Sequence, residues 1–288
     1  MPAPEPEPFE VGSEPAVRGE VLGEGVPVVL CHGLTATRRY VVHGSGGLAR
    51  RGAQQVSYDA RGHGESDPAP DGEGYGYPEL VADLEAVVGE TVGEGPFVIA
   101  GHSMGAHTAV AYALENAERV AGLVLIGPVY GGGPVSDETL AYWDGLADAL
   151  DDGGAEGFVA YLLDQGVDPD WRETVERISR ERISLHRDLD AVARALREVP
   201  RSRPFDTLDE LEFLDVPALV VASHDDADPG HPYDVADAYA QRLPQGRLIS
   251  EEPGDSPLAW QGGKLSREIA SFFGTPPVQE RLVDGGSS

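Results

Sequence analysis

Pro96-Phe97-Val98-Ile99-Ala100-Gly101-His102-Ser103-Met104-Gly105-Ala106-His107 is the stretch on which the reading of the chain turns. A short apolar run ends in Gly-His-Ser-Met-Gly and passes directly into the alanine-rich residues 106–114. This order predicts a strand, a one-residue hinge and a helix, in the pattern G-x-S-x-G. Gly101 and Gly105 have no Cβ, so strand and helix can approach closely enough for Ser103 to occupy a strained turn. Such a turn lifts the serine hydroxyl above the carboxyl end of a sheet. The helix N-terminus beneath it favours negative charge and leaves the Met104 N–H free to donate. A serine nucleophile and one half of an oxyanion hole are therefore expected from one pentapeptide.

Upstream, Pro27-Val28-Val29-Leu30-Cys31 is a continuous apolar run of the kind a buried parallel strand requires. It ends in His32-Gly33-Leu34-Thr35, and the Leu34 N–H is the simplest second donor to an oxyanion. The segment 54–58 is the next expected strand and runs into the turn-rich Asp59-Ala60-Arg61-Gly62-His63-Gly64-Glu65-Ser66. Leu80, Leu84, Val87 and Val88 recur at helical spacing. Residues 119–126, 216–222 and 246–250 complete the set of expected strands, and residues 20–25 read as a hairpin tip. Apolar strands alternating with helices predict an α/β fold, with a mostly parallel twisted sheet flanked by helices.

The character changes between residues 130 and 205, where only helices are expected. Trp171, Val175, Ile178 and Leu185 form one stripe; Leu189, Val192, Leu196 and Val199 form another. The expected organisation is a disordered tail over 1–15, a core over 16–129 and 206–273, an inserted helical lid over 130–205, and a C-terminal tail over 274–288.

With 288 residues the chain can bury a large core. Its formal net charge of −29 disfavours nucleic acid and anionic membrane surfaces as partners. The proline-rich start has neither a basic segment nor an apolar core, so it does not read as a signal peptide. A single cysteine, Cys31, excludes an intramolecular disulfide. Together these point to a cytoplasmic protein with a small-molecule substrate, and leave its oligomeric state open.

His32-Gly33, the segment 59–66, Gly101-His102-Ser103-Met104-Gly105, and Val216-Pro217 followed by a strand and an acid together resemble the α/β-hydrolase family over residues 18–273. The resemblance implies Ser103 as nucleophile, with Leu34 and Met104 as oxyanion donors. It places the acid after the strand that begins at Val216: Asp226, with Asp225 and Asp228 as alternatives. The family's histidine follows the last strand, yet this chain has Gly254-Asp255 there and no histidine beyond His231. An aspartate is a weak base near neutral pH unless burial raises its pKa.

His231, the only histidine after Asp226, is the first candidate for a displaced base, and His32 beside the oxyanion loop is the second. His186 could reach down from the lid. His102 and His107 flank Ser103 and are read as packing residues. His63 is read as a turn residue, and His43 carries no signal. Asp255 and His32 are candidate site-lining residues. The cluster Asp225, Asp226, Asp228 and His231 offers ligands for a divalent cation but lacks EF-hand spacing. A carboxylate orienting a histidine explains it more economically. No metal and no cofactor are expected.

The expected activity is therefore hydrolysis of a small to medium, mostly apolar ester, lactone or thioester. The alternative is a member of the fold that has lost hydrolysis and binds a small molecule or performs cyclase or lyase chemistry. An aspartate-nucleophile dehalogenase or epoxide hydrolase is disfavoured, because position 103 is serine.

Overall fold

Segments that are apolar on both faces can sit only in the middle of a covered sheet. Four strands meet that condition: β3 (Val26–Cys31), β5 (Phe97–His102), β6 (Val120–Ile126) and β7 (Ala218–Val221). The computed structural model, which describes residues 5–12, 14–224, 230–251, 260 and 262–284, puts them at the centre of an eight-stranded sheet. The less buried β1 (Glu7–Val11) and β8 (Gly246–Ile249) take the edges, β2 (Val17–Leu22) lies inside β1, and β4 (Ala53–Tyr58) lies beside β3. The order is β1-β2-β4-β3-β5-β6-β7-β8. The first two strands run antiparallel, and β4 onward is parallel.

Helices cover both faces. On one, α1 (Tyr77–Thr91), α2 (Met104–Glu115) and α6 (Tyr233–Arg242) pack around Val29, Ile99, Leu123 and Val220. On the other, α7 (Gly263–Phe273) and α8 (Pro276–Asp284) pack around Val28, Val98, Val124 and Leu219. Alternate residues of each strand thus serve opposite layers. Among the described residues no helix is long and apolar enough to cross a membrane.

Three local expectations change. Residues 7–11, assigned to a tail on their proline and glutamate content, form β1; Phe9 and Val11 alternate with acidic residues and turn toward the core, as an edge strand allows. Residues 20–25 are no hairpin tip, because β2 pairs with β4 while β3 lies on the far side of β4. The expected C-terminal tail contains α8, held by the fully buried Val278 and by Arg281, whose Nε donates to the Val120 carbonyl at 3.0 Å.

Between β6 and β7 the chain leaves the sheet for α3 (Asp137–Asp164), α4 (Arg172–Ile183) and α5 (Leu189–Glu198). Ser136 caps α3 and Asp188 caps α5, each side chain accepting from a backbone N–H in the first turn. Gly154, at φ 58°, breaks α3 into two helical runs. Val192, Leu196 and Val199 are buried as their stripe requires. The other stripe is only partly inward: α4 buries Ser179 and Ile183, and Leu185 is exposed. These helices share one apolar cluster with Leu34, Tyr75, Tyr77 and Met104 and so rest on the carboxyl end of the sheet.

Charged side chains pin the loop after β4. The buried Asp59 carboxylate accepts from the Arg38 N–H at 2.7 Å, from the Arg38 guanidinium and from the Glu65 N–H. Arg61 and Asp83 form a two-pronged buried pair, 2.7 Å at each contact. Burial works to lower the Arg61 pKa and to raise that of Asp83, and the pairing opposes both. Removing one partner strands the other, so Asp83→Ala is expected to cost about 3 kcal/mol or more of unfolding free energy. Urea denaturation measures it. An apolar pair, Arg61→Met with Asp83→Leu, should recover part of the loss, and an unchanged midpoint in the single variant would refute the argument.

Candidate active site

Ser103 joins β5 to α2 with φ 52° and ψ −115°, a conformation that a non-glycine residue adopts only when its surroundings hold it there. The surroundings are backbone. A Cβ on Gly105 would collide with the Cys31 carbonyl, and one on Gly101 would collide with the Gly105 carbonyl. The Ser103 N–H donates to the Ile126 carbonyl at 2.9 Å. The side chain is half-buried and faces a cavity of about 260 Å³. Its hydroxyl makes no hydrogen bond with any of the described residues.

Leu34 and Met104 line the same cavity. Met104 is the first residue of α2, so its N–H has no helical acceptor. The Leu34 N–H is set by its neighbours. The Gly33 carbonyl is held by His32 Nδ1 at 2.8 Å and by the Ala36 N–H at 2.9 Å. A trans peptide points its N–H opposite to its carbonyl, so fixing the Gly33 oxygen fixes the Leu34 N–H. Neither N–H donates to any of the described residues. Ser103, Leu34 and Met104 thus line one cavity.

The histidines divide into two groups. His32 is buried, with Nε2 accepting from the Ala60 N–H at 2.9 Å and Nδ1 on the Gly33 carbonyl. It lines neither cavity among the described residues, which corrects the expectation that it borders the site or supplies a base. His186 accepts from the Gly64 N–H at Nδ1 and meets the Thr35 carbonyl at Nε2. His63 has the Arg61 carbonyl at Nδ1 and the Leu34 carbonyl at Nε2. His107 is held at both nitrogens by Tyr77 and by the backbone after β6. These four rings are structural.

The second group lies beside a larger cavity of about 450 Å³ at the carboxyl ends of β5, β6 and β7. His102 and His231 line it with ring centroids 4.9 Å apart. His231 also packs beside Gly127, just past β6. The structure therefore sets His231 against His102, the residue preceding Ser103. Arg39, Arg177 and Arg182 rim that cavity, as does His43. His224 stacks on Tyr233. Asp225, Asp226, Asp228 and Asp255 lie outside the described residues.

Sequence reasoning missed two groups. Tyr77 lines the Ser103 cavity; it stands three residues before Leu80 and so continues the apolar stripe of α1, which is the signal that could have found it. Glu251, just past β8, is buried and accepts from the Ser223 hydroxyl at 2.7 Å, from the His224 N–H and from Trp260 Nε1 at 2.9 Å. Burial works to raise its pKa, yet these hydrogen bonds hold it below the usual carboxylate range. It ties the ends of β7 and β8 together, and nothing in its local sequence marks it.

A central parallel sheet, a serine on a strained strand-to-helix turn and two backbone N–H groups facing the same space define a recognisable class, the hydrolase-type α/β fold. The chain belongs to the alpha/beta hydrolase fold family, whose profile matches residues 26–262. It is 32% identical over 189 residues to a non-heme haloperoxidase of Rhodococcus erythropolis, covering 62% of this chain and 67% of that one. It is also 32% identical over 100 residues to an sn-1-specific diacylglycerol lipase of Mus musculus, covering 34% of this chain. The match spans about a third of that lipase's length (31%), and similarly short shares of other curated relatives. Among solved structures, a thermophilic esterase of Thermogutta terrifontis superposes with a TM-score of 0.72 at 23% identity over 97% of this chain and 99% of that one. The enol-lactonase of Burkholderia xenovorans gives 0.71 at 21% over 92% and 98%. At these identities the two structures establish the shared fold.

Burial pushes the imidazoles of His107 and His186 down to about 3. In an unfolded chain each would titrate near 6.5. Between those values the unfolded state takes up a proton that the folded state refuses. The associated stability is complete above about pH 6.5 and is lost progressively as pH falls toward 3. His107→Gln is therefore expected to reduce by about one the number of protons taken up on unfolding between pH 5.5 and 4. Urea titrations of both proteins across that range measure the difference, and parallel pH profiles would contradict it.

Proposed function

We propose that this protein is a serine hydrolase that cleaves a small to medium, mostly apolar carboxylic ester, lactone or thioester through an acyl-enzyme. The observation that carries the reading is the juxtaposition of Ser103, held at φ 52°, with the uncommitted N–H groups of Leu34 and Met104 around one cavity. The lipase, esterase and enol-lactonase named above add support at the level of the family.

In this mechanism Ser103 Oγ attacks the substrate carbonyl carbon, and a base takes the hydroxyl proton. The Leu34 and Met104 N–H groups hold the negative oxygen of the tetrahedral intermediate. Collapse breaks the bond to the leaving group, which departs with the proton returned by the base. Water then attacks the acyl carbon, and its proton passes to the base and back to Ser103 as the acid is released. We assign the base to His231, oriented by Asp226. Four of the eight histidines are committed to structural contacts, and His231 is the only one after the acid in the chain. Val135, Trp143 and Val199 from the inserted helices and their flanks supply apolar walls, the part expected of a lid. The reaction needs no cofactor, and the partner is a small molecule.

A second reading, small-molecule binding or non-hydrolytic catalysis, is favoured by one observation: no imidazole among the described residues is hydrogen-bonded to the Ser103 hydroxyl. A fluorophosphonate probe and p-nitrophenyl esters separate the two. Hydrolysis requires that the probe label Ser103, that Ser103→Ala abolish turnover, and that His231→Ala lower kcat by about 10³-fold or more. Full activity in His231→Ala would remove that residue as base. Ester cleavage equal in the wild type and Ser103→Ala would leave the second reading.

A further inference from the structure

The hydrogen bonds at His107 determine which way a neighbouring proton points. His107 Nε2 lies 3.0 Å from the Val129 nitrogen and 3.1 Å from the Tyr130 nitrogen. Both are backbone donors, so Nε2 carries its lone pair and no hydrogen. A neutral imidazole has one N–H, which must then sit on Nδ1; an imidazolium would press a second N–H against those donors. Nδ1 is 2.9 Å from the Tyr77 hydroxyl oxygen. His107 therefore donates and Tyr77 accepts.

The phenol hydrogen of Tyr77 is left over. It cannot go to His107, and no other group among the described residues accepts it. Tyr77 is 6% exposed, and it lines the same 260 Å³ cavity as Ser103, Leu34 and Met104. Burial raises the phenol's pKa, so the group keeps its proton and remains a donor. A buried donor without an acceptor costs on the order of 1–3 kcal/mol, a penalty relieved when an acceptor enters the cavity. Ser202 stands on the same wall, its Oγ accepting from the Tyr77 N–H at 2.9 Å, and so fixes the start of α1 that carries the phenol.

We propose that Tyr77 is a substrate-recognition donor, and that the substrate presents to it a second oxygen with a lone pair and no hydrogen. A ketone or an ether oxygen on the chain flanking the reacting carbonyl has that chemistry; a plain hydrocarbon chain does not. His107 is a positioning residue, because its fixed tautomer turns the phenol hydrogen into the cavity. The proposal narrows the ester, lactone or thioester class assigned above and rests on that assignment.

The test compares p-nitrophenyl pentanoate with analogues in which each chain methylene beyond the α-carbon is in turn replaced by an ether oxygen, in the wild type and in Tyr77→Phe. The wild type should favour at least one oxygen-containing ester over pentanoate by about 10-fold or more in kcat/KM. Tyr77→Phe, verified as folded by its thermal melt, should bring that ratio close to one. A ratio equal in the two proteins, or a wild type indifferent to the oxygen, overturns the proposal. Binding separates it from the hydrolytic assignment. In a Ser103→Ala background, methyl 4-oxopentanoate should bind more tightly than methyl hexanoate, and Tyr77→Phe should erase the difference. If p-nitrophenyl esters are not turned over but this preference holds and depends on Tyr77, the recognition role stands and the hydrolytic assignment falls. If binding shows no such preference, the recognition role falls whatever the esterase assay gives.

Discussion

Three backbone segments meet where no side chain fits, and the site depends on that contact. Gly105 lies against the Cys31 carbonyl at the end of β3, and Gly101 lies against the Gly105 carbonyl at the start of α2. The contact fixes α2 on the two central strands and leaves the intervening residue no relaxed conformation. Ser103 takes φ 52°, a strain of order 1–3 kcal/mol that the surrounding parallel sheet offsets. The same contact sets the end of β3, and hence Leu34, beside the start of α2, and hence Met104. The position of Ser103 and that of the two N–H groups beside it are thus consequences of one packing constraint.

Around this contact the chain uses histidine as a structural polar residue. His32, His63 and His186 form a row, with centroid spacings of 5.1 and 5.5 Å, that joins the Gly33–Thr35 backbone, the loop after β4 and the turn following α4. Each ring is buried and its pKa is lowered, and in His32 and His186 one nitrogen accepts from a backbone N–H while the other faces a carbonyl, as a neutral imidazole can. Asp59 and the Arg61–Asp83 pair hold the same loop with charge. A chain of net charge −29 thus sets some of its few cations where they are desolvated and matched, in and against the loop that follows β4.

The inserted helices and the ends of the strands enclose two spaces of different chemistry. The smaller is walled by Tyr77, Tyr130, Trp143 and Val199 and receives Ser103. The larger is rimmed by Arg39, Arg177 and Arg182 and receives His102 and His231. The consecutive residues His102 and Ser103 line different cavities. A substrate spanning both would meet an apolar wall with a phenol donor on one side and guanidinium groups on the other.

The order of strands and helices was legible in the sequence because continuous apolar runs can survive only at the centre of a doubly covered sheet. The elbow was legible because two glycines flanking a serine, between strand and helix, have one economical geometry. Leu34 and Met104 followed as the residues next to those turns. Composition misled where it concealed period-two alternation, as at Phe9 and Val11, and where a proline and glutamate count stood in for a tail. His63 and His107 were read as structural from their positions, whereas the roles of His32 and His186 were not legible. A ring is structural when both its nitrogens meet partners, and those partners, Ala60 for His32, Gly64 for His186 and Tyr77 for His107, are 28, 122 and 30 residues away. Only tertiary folding brings such groups together, and it alone decided which imidazoles are spent, that His102 and His231 line the larger cavity, and that the Tyr77 ring shares the smaller one with Ser103.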